Sequence, residues 1–181
     1  MKIGFLLGSF DPIHIGHMSM ATSVLNEQLV DKVLFVPTKQ NPWKPKSTNF
    51  FDRGIMIMKA LYGLENCEVC PIEWNIESPN YSYKTLQLLK EHYHDDELYL
   101  ILGADTALNI INWENSDWII DNYKIITISR EGCGIKTDIK LDLNVSSTEI
   151  RNLAKDNKIL YPLVPLEVEN YIKQNNLYKN E

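Results

Sequence analysis

The sequence predicts an α/β fold in which a doubly wound parallel sheet carries helices on both faces. Short apolar runs of strand length alternate with longer stretches in which apolar residues recur at helical spacing. This alternation of strand and helix is typical of parallel sheets. A length of 181 residues, with no internal repeat, low-complexity tract or Pro- and Ser-rich linker, suits one domain, which we expect to span residues 1–181.

The first half of the chain alternates between strands and helices and contains one long loop. In order, the pattern predicts a strand over residues 2–7, a helix over 16–29, a strand over 32–36, a helix over 51–62 and a strand over 68–72. The second strand ends at Pro37. Residues 38–48 contain two Pro and three Lys and are expected to form a loop.

The second half continues the alternation and then becomes helical. In order, it is predicted to form a helix over residues 82–94, strands over 98–102 and 124–129, and helices over 147–156 and 166–175, with only a weak pattern over 132–143. The whole is a Rossmann-like sheet with C-terminal helices. Such sheets bind ligands beyond the carboxyl ends of their strands, so the loops after Leu7, Val36 and Leu102 are the first candidates for a functional site.

Composition narrows the function. Asp and Glu number 24 against 18 Lys and Arg, a net charge of −6, which disfavours a protein whose main role is to bind a nucleic-acid backbone. The apolar run at the N-terminus is too short for a signal peptide or a membrane span, so we expect a cytoplasmic protein that uses no membrane. Only three residues offer a guanidinium for phosphate binding: Arg53, Arg130 and Arg151.

Three cysteines raise a separate hypothesis. Cys67 and Cys70 have the CxxC spacing of a redox pair or of half a zinc site, and Cys133 stands alone. No second CxxC or matched His pair completes a zinc site, and the segment is predicted to be a strand. Two reduced strand cysteines are therefore the favoured interpretation, and a redox pair stays as an alternative.

The loop after the first strand carries the strongest chemical pattern. Gly8 lets the backbone approach a ligand, and the helix that follows presents N–H groups suited to an anion. His14 and His17 lie three residues apart and so share one face of the first helical turn. Two of the four histidines of the chain lie here, which indicates a phosphate cradle. A turn with two surface histidines and a zinc site are the alternatives.

A second anion site is predicted near the C-terminus. Ser146 and Glu149 form a capping box, so a helix begins there. Its N–H groups, the hydroxyls of Ser147 and Thr148 and the guanidinium of Arg151 suit a phosphate. The alternative is an ordinary capped helix with a surface arginine.

These two segments resemble a known superfamily. GSFDPIHIGH, residues 8–17, resembles the HxGH signature of the nucleotidylyltransferases, and SSTEIR, residues 146–151, resembles their SSTxIR element. The resemblance implies transfer of a nucleoside monophosphate from a triphosphate to a phosphate-bearing acceptor. Class I aminoacyl-tRNA synthetases also contain HIGH, but they are much longer and this chain has no KMSKS-like element.

Four further segments extend the resemblance over nearly the whole chain. Residues 36–44, 73–86, 103–113 and 161–178 are similar to the P…PPHK, E…PSYT…TL, GxD…W and YLVP…YI…LY segments of the bacterial nicotinate mononucleotide adenylyltransferases. This implies transfer of AMP from ATP to nicotinate mononucleotide, giving nicotinate adenine dinucleotide and pyrophosphate in NAD biosynthesis, with Mg²⁺ bound to ATP. Nicotinamide mononucleotide and 4′-phosphopantetheine are alternative acceptors, although His14 argues against the latter. A nucleotide-binding module without catalysis also stays open, as does a homo-oligomer.

The resemblance assigns roles to residues. The catalytic set is His14, His17, Lys44 and Arg151. The set expected to bind ATP is Gly8, Ser9, Phe10, His14, His17, Gly103, Asp105, Ser147, Thr148 and Arg151. The set expected to bind the mononucleotide is Asp11, Asn41, Lys44, Tyr81, Ser82, Asp105, Trp113 and Arg130. Asp105 suits a ribose hydroxyl, and Trp113 suits stacking on a pyridinium ring.

The sequence departs from the family pattern in three places. Trp43 replaces the usual His before Lys44, and Ile76 replaces a frequent Arg. Leu7 and Ser9 flank Gly8 where the family usually has Gly-Gly-Thr. The carboxylate of nicotinate needs hydrogen-bond donors, whereas the amide of nicotinamide needs both a donor and an acceptor. The change from Arg to Ile76 therefore bears on which of the two mononucleotides is used.

Overall fold

The computed structural model describes residues 1–40, 47–77, 80–130, 136–141 and 143–179, except for the side chain of Arg130. In these ranges six parallel strands form one sheet in the order β3-β2-β1-β4-β5-β6. The strands are β1 Lys2–Gly8, β2 Lys32–Pro37, β3 Cys67–Val69, β4 Glu97–Gly103, β5 Lys124–Arg130 and β6 Ile139–Leu141. The predicted doubly wound α/β fold is confirmed.

Seven α-helices surround the sheet within the described ranges. They are α1 Ile15–Asn26, α2 Phe50–Leu61, α3 Ser82–His92, α4 Ala104–Leu108, α5 Ser116–Asn122, α6 Ser147–Lys155 and α7 Leu166–Gln174. Two 3₁₀ turns occupy Ile72–Asn75 and Ile110–Asn112. None of the helices described is long and apolar enough to cross a membrane.

The strands are apolar throughout because both faces of the sheet are covered. Successive residues point to opposite faces, so Phe5 packs on one side with Leu100, while Leu6 packs on the other with Ile101. All four are at most 3% exposed. Each apolar run in the sequence thus supplies residues alternately to the two halves of the core, one on each face of the sheet.

The switch in strand order lies at the centre of the sheet. β1 pairs with β2 on one side and with β4 on the other, both in parallel. The loops that leave β1 and β4 therefore diverge to opposite faces and open a crevice at the carboxyl ends of these strands.

Several short elements differ from the prediction. The third strand ends at Val69 rather than residue 72, because Pro71 begins a 3₁₀ turn and has no N–H for the ladder. Helices α4 and α5 have only five and seven residues, and β6 has three. Elements this short give little periodic signal, and β6 is the one that lies within the weakly patterned residues 132–143.

Candidate active site

A cavity of about 590 Å³ lies in the crevice beyond β1 and β4. It is lined by residues at or just beyond the carboxyl ends of three neighbouring strands: Gly8 and Ser9 at β1, Thr38 at β2, and Gly103 and Asp105 at β4. The cavity is thus where the parallel topology predicted a ligand site.

His14 and His17 form the floor of this cavity. His14 is the extended residue before α1 and His17 is the third residue of the helix, so the two rings stack at 3.7 Å between centroids. The main-chain N–H of His14 donates to Nδ1 of His17 at 3.3 Å. A neutral imidazole that accepts at Nδ1 carries its proton on Nε2. His17 is therefore fixed as a donor at Nε2.

Phe10 supports His17 from beneath. Its ring is 2% exposed, meets the His17 ring edge-on at 5.0 Å and packs against Phe35 at 5.6 Å. A Cβ on Gly8 would lie 3.2 Å from the Phe10 ring, so the loop passes tightly over that ring. Phe10, expected from the resemblance to bind ATP, has its ring in the core and does not line the cavity.

The two sequence signatures meet in space. The Ser146 hydroxyl caps α6 by accepting from the main-chain N–H of Glu149. Ser147 donates to the carbonyl of Pro12 at 3.0 Å, and Arg151 donates to the carbonyl of Asp11 at 2.8 Å. The start of α6 therefore holds the histidine loop in place.

The remaining predicted members of this group lie beside it. Arg151 also donates to the Thr148 hydroxyl at 3.2 Å. Val145 lines the cavity, whereas Ser147, Thr148 and Arg151 border the loop rather than the cavity itself. A phosphate-binding role for these three stays a prediction.

Asp11 faces inward. Its carboxylate accepts from the Tyr178 hydroxyl at 2.8 Å and from the main-chain N–H of Thr48 at 3.1 Å, and the residue is 6% exposed. The first amide of α1, that of Ile15, donates to the carbonyl of Leu163 at 2.9 Å. The Asp11 carboxylate and the Ile15 N–H were both predicted from the sequence to be available to a ligand. In the structure they form hydrogen bonds within the protein.

The opposite wall carries the predicted mononucleotide residues. Asp105 is the exposed second residue of α4, and Ser82 is the first residue of α3; both line the cavity. Trp113 packs partly on the core and also lines the cavity, and its stacking on a pyridinium ring stays a prediction. Tyr81 is 40% exposed just before α3 and is not among the lining residues.

Four residues named from the sequence lie outside the described part of the chain, and so does the side chain of a fifth, Arg130. The four are Asn41, Trp43, Lys44 and Cys133. Their assigned roles stay predictions.

Arg53 was noted in the sequence as one of three arginines, but no role was predicted for it. Arg53 is 1% exposed although it is charged. It shares the buried face of α2 with Met56, Ile57 and Ala60, at i, i+3, i+4 and i+7. That spacing was legible in the sequence and would have placed Arg53 in the interior. Thr38 and Ser129, which line the cavity, were also missed.

The CxxC pair lies away from this cavity. Cys67 belongs to β3, Cys70 follows it, and both are free, buried thiols. Burial raises the pKa of Cys67 to about 11 and also raises the pKa of Cys70. Among the described residues, no group of three or more His, Cys, Asp or Glu could hold a metal ion.

The two thiols are expected to react slowly in the native protein. With a pKa of about 11, only about one Cys67 in 10⁴ is a thiolate at pH 7, and the thiolate is the nucleophile. In a Cys133→Ser background, iodoacetamide should label the folded protein far more slowly than the urea-unfolded protein, as mass spectrometry would show. Rapid labelling of the native form would instead support the redox alternative.

This chain is similar to known proteins over nearly its whole length. A model of the cytidylyltransferase-like family matches residues 5–153. The nicotinate-nucleotide adenylyltransferase of Bacillus subtilis is 33% identical, with 99% of each chain covered, and the probable nicotinate-nucleotide adenylyltransferase of Bacillus licheniformis is 34% identical, with 98% of each covered.

A solved structure supports the fold. The nicotinic acid mononucleotide adenylyltransferase of Plasmodium falciparum, in complex with NaAD, superposes with a TM-score of 0.82 at 21% identity, covering 99% of this chain and 98% of that one. The family model and the relatives together span the sheet, the histidine loop and the start of α6. The chain belongs to the cytidylyltransferase-like family and, within it, to the nicotinate-nucleotide adenylyltransferases.

Proposed function

We propose that this chain transfers AMP from ATP to nicotinate mononucleotide, giving nicotinate adenine dinucleotide and pyrophosphate for NAD biosynthesis. The observation that carries the proposal is the stacked His14–His17 pair on the cavity floor, in a chain that matches its relatives over nearly its whole length. We propose that residues 1–181 act as a single nucleotidylyltransferase domain.

The chemistry needs positioning more than proton transfer. The second pKa of the acceptor phosphate is about 6, so this phosphate is largely a dianion at neutral pH and needs no general base. One of its oxygens forms a bond to the α-phosphorus of ATP, and the bond from that phosphorus to the pyrophosphate oxygen breaks. The protein aligns these atoms and stabilises the charge that develops on them.

The cavity supplies donors at the point where the two substrates meet. The Nε2–H of His17 is set to donate to a phosphate oxygen, and the stacked His14 ring fixes its direction. We propose that Arg151 and Lys44 add positive charge on either side. Ser147 and Thr148 are proposed to assist Arg151.

The pyridine nucleotide is proposed to lie toward α3 and α4. Asp105 accepts from a ribose hydroxyl, and Trp113 stacks on the pyridinium ring. Asn41, Tyr81, Ser82 and Arg130 complete this side of the proposal.

Magnesium is proposed to enter with ATP. Among the described lining residues the only carboxylate is that of Asp105, which does not make a cage for a divalent ion. Mg²⁺ accepts phosphate and water oxygens as most of its ligands, so the substrate complex supplies them.

The proposal also bears on where the protein works. Both substrates are phosphorylated and do not cross a bilayer unaided. We therefore propose that the protein works in the cytoplasm.

The direct test is an acceptor comparison. Purified protein, ATP and Mg²⁺ are mixed in turn with nicotinate mononucleotide, nicotinamide mononucleotide and 4′-phosphopantetheine, and pyrophosphate and the adenylylated product are measured. We expect the largest kcat/KM with nicotinate mononucleotide. Binding of ATP without pyrophosphate release from any acceptor would favour a non-catalytic nucleotide-binding module, and a preference for another acceptor would replace the proposed substrate.

A further inference from the structure

The loops around the cavity are joined by one buried side chain. We propose that Arg53 is a positioning residue that fixes the acceptor side of the cavity, an inference that rests on the function proposed above. Arg53 together with the four carbonyls that it binds is called here the Arg53 hub. Those carbonyls belong to Ser9, Thr38, Lys39 and Thr48.

The guanidinium reaches three separate segments. Nη1 donates to the carbonyls of Ser9 at 2.6 Å and Thr38 at 2.8 Å. Nη2 donates to the carbonyl of Lys39 at 2.9 Å, and Nε donates to that of Thr48 at 2.9 Å. The hub thus ties the loop after β1 to the loop after β2 and to the segment before α2. A planar fork of donors suits this arrangement, whereas a lysine ammonium does not match its spread.

A buried arginine is a costly way to fill space. Burial lowers the pKa of Arg53, against the opposing effect of the negative charges of Asp11 and Glu73. The groups that it contacts directly are neutral carbonyls rather than carboxylates. An apolar residue of similar size would avoid the cost of burying a charge but would leave four carbonyls without this donor. The arrangement is therefore better explained by loop positioning than by packing.

The hub continues into two further buried contacts. Thr48, whose carbonyl binds Arg53, donates its own N–H to Asp11, which also accepts from Tyr178. This branch connects the hub to the loop that carries the catalytic histidines.

The second branch leads to the opposite wall. Lys39, whose carbonyl binds Arg53, donates its N–H to the Glu73 carboxylate at 2.6 Å. Glu73 also accepts from the Thr85 hydroxyl at 2.6 Å, and Thr85 lies in α3, the helix that begins with Ser82 at the cavity. The hub thus helps to fix the position of α3 relative to the loop after β1.

Of the four residues whose carbonyls form the hub, only Ser9 belongs to the set proposed to bind ATP. Ser82, which is proposed to bind the mononucleotide and lines the cavity, begins α3, the helix that the hub reaches through Glu73 and Thr85. The hub also holds Lys39 and Thr48, which lie on either side of residues 41–46 in the chain. Loss of the hub should therefore weaken the acceptor more than ATP.

Steady-state kinetics in both substrates test this inference. Arg53→Ala is expected to raise the KM for the mononucleotide about tenfold or more and to change the KM for ATP less than about twofold. Ethylguanidinium, which supplies the atoms that this variant lacks, should restore the acceptor KM at millimolar concentration. Arg53→Lys keeps the charge without the fork, should show the same split more weakly, and serves as the second variant if Arg53→Ala folds poorly.

A control separates positioning from simple loss of stability. Leu98 is a buried residue at the amino end of β4, the end of the sheet away from the cavity. Leu98→Ala should lower Tm as Arg53→Ala does, but leave both KM values unchanged. Equal rises in both KM values for Arg53→Ala, or no response to ethylguanidinium, would overturn the inference.

Binding measurements keep the two proposals apart. Calorimetry with nicotinate mononucleotide alone and with ATP alone should show weaker acceptor binding and retained ATP binding in Arg53→Ala. A wild-type protein that binds the mononucleotide but releases no pyrophosphate would contradict the proposed reaction, while the same calorimetric comparison would still decide the role of Arg53.

Discussion

Replacing His17 with alanine is expected to lower kcat for AMP transfer by about 10²–10³-fold, the cost of removing one preorganised donor to a developing negative charge. The ring lines the cavity, is stacked on His14 and accepts from a main-chain N–H at Nδ1. In the proposed mechanism its Nε2–H donates to a phosphate oxygen of the substrate. Pyrophosphate release at saturating substrate measures the effect, and circular dichroism should show an intact fold.

Two further substitutions identify the nitrogen that matters. Glutamine can place an N–H near the Nε2 position, whereas asparagine places its amide near Nδ1. His17→Gln is therefore expected to retain more activity than His17→Asn. His94→Ala, at an exposed histidine before the amino end of β4, is the matched control and should be fully active. A near-wild-type rate in His17→Ala would remove His17 from the mechanism.

A single methyl group at Gly16 is expected to reduce kcat/KM by about 10–100-fold, because small displacements of catalytic groups are costly. A Cβ there would lie 2.9 Å from Cγ1 of Val145 and 3.1 Å from Cε1 and Nδ1 of His14. Val145 is 2% exposed and lines the cavity, and His14 is stacked on His17. Either neighbour that gives way changes the shape of the site.

Gly54 offers the matched control for this substitution. It lies in α2, and a Cβ there would meet nothing within 4 Å. Gly54→Ala is expected to stabilise the protein by about 0.5–1 kcal/mol, the usual gain for alanine over glycine in a helix, with no change in activity. Gly16→Ala should gain none of this stability in urea titrations. An active and stabilised Gly16→Ala would show that the contact between Gly16 and His14 is unimportant.

Much of the fold could be predicted because the signals were long and repeated. The strand that contains Phe5 and the one that contains Leu100 are apolar on both faces, as parallel strands between two helical layers must be. The histidine loop could be found because its residues are adjacent in sequence. The sequence does not reveal which side chains of this loop turn toward the interior. Phe10 and Asp11 belong to the same loop as His14, yet the ring of Phe10 packs in the core and the carboxylate of Asp11 binds the buried Tyr178 hydroxyl.

The contacts that position the site were beyond such reasoning. Arg53 binds carbonyl groups, which carry no side-chain signal, and its nearest such partner along the chain, Thr48, is five residues away while Ser9 is 44 away. The short helix α4 that presents Asp105 begins directly at the end of β4 and has too few residues for a helical period. These features are determined by tertiary packing, which the local sequence pattern does not reveal.

The contacts of Asp11 with Tyr178 and of Ile15 with Leu163 also bear on the order in which the protein becomes active. The first joins residues 167 positions apart, so the loop that holds the histidines is synthesised well before the segments that support it. Contacts this distant in sequence form late, because a long loop must close before they can be made. A nascent chain that has already built β1 and α1 on the ribosome would thus carry both histidines proposed to be catalytic before their loop is fixed. We expect the chain to become active only when the distal segments dock.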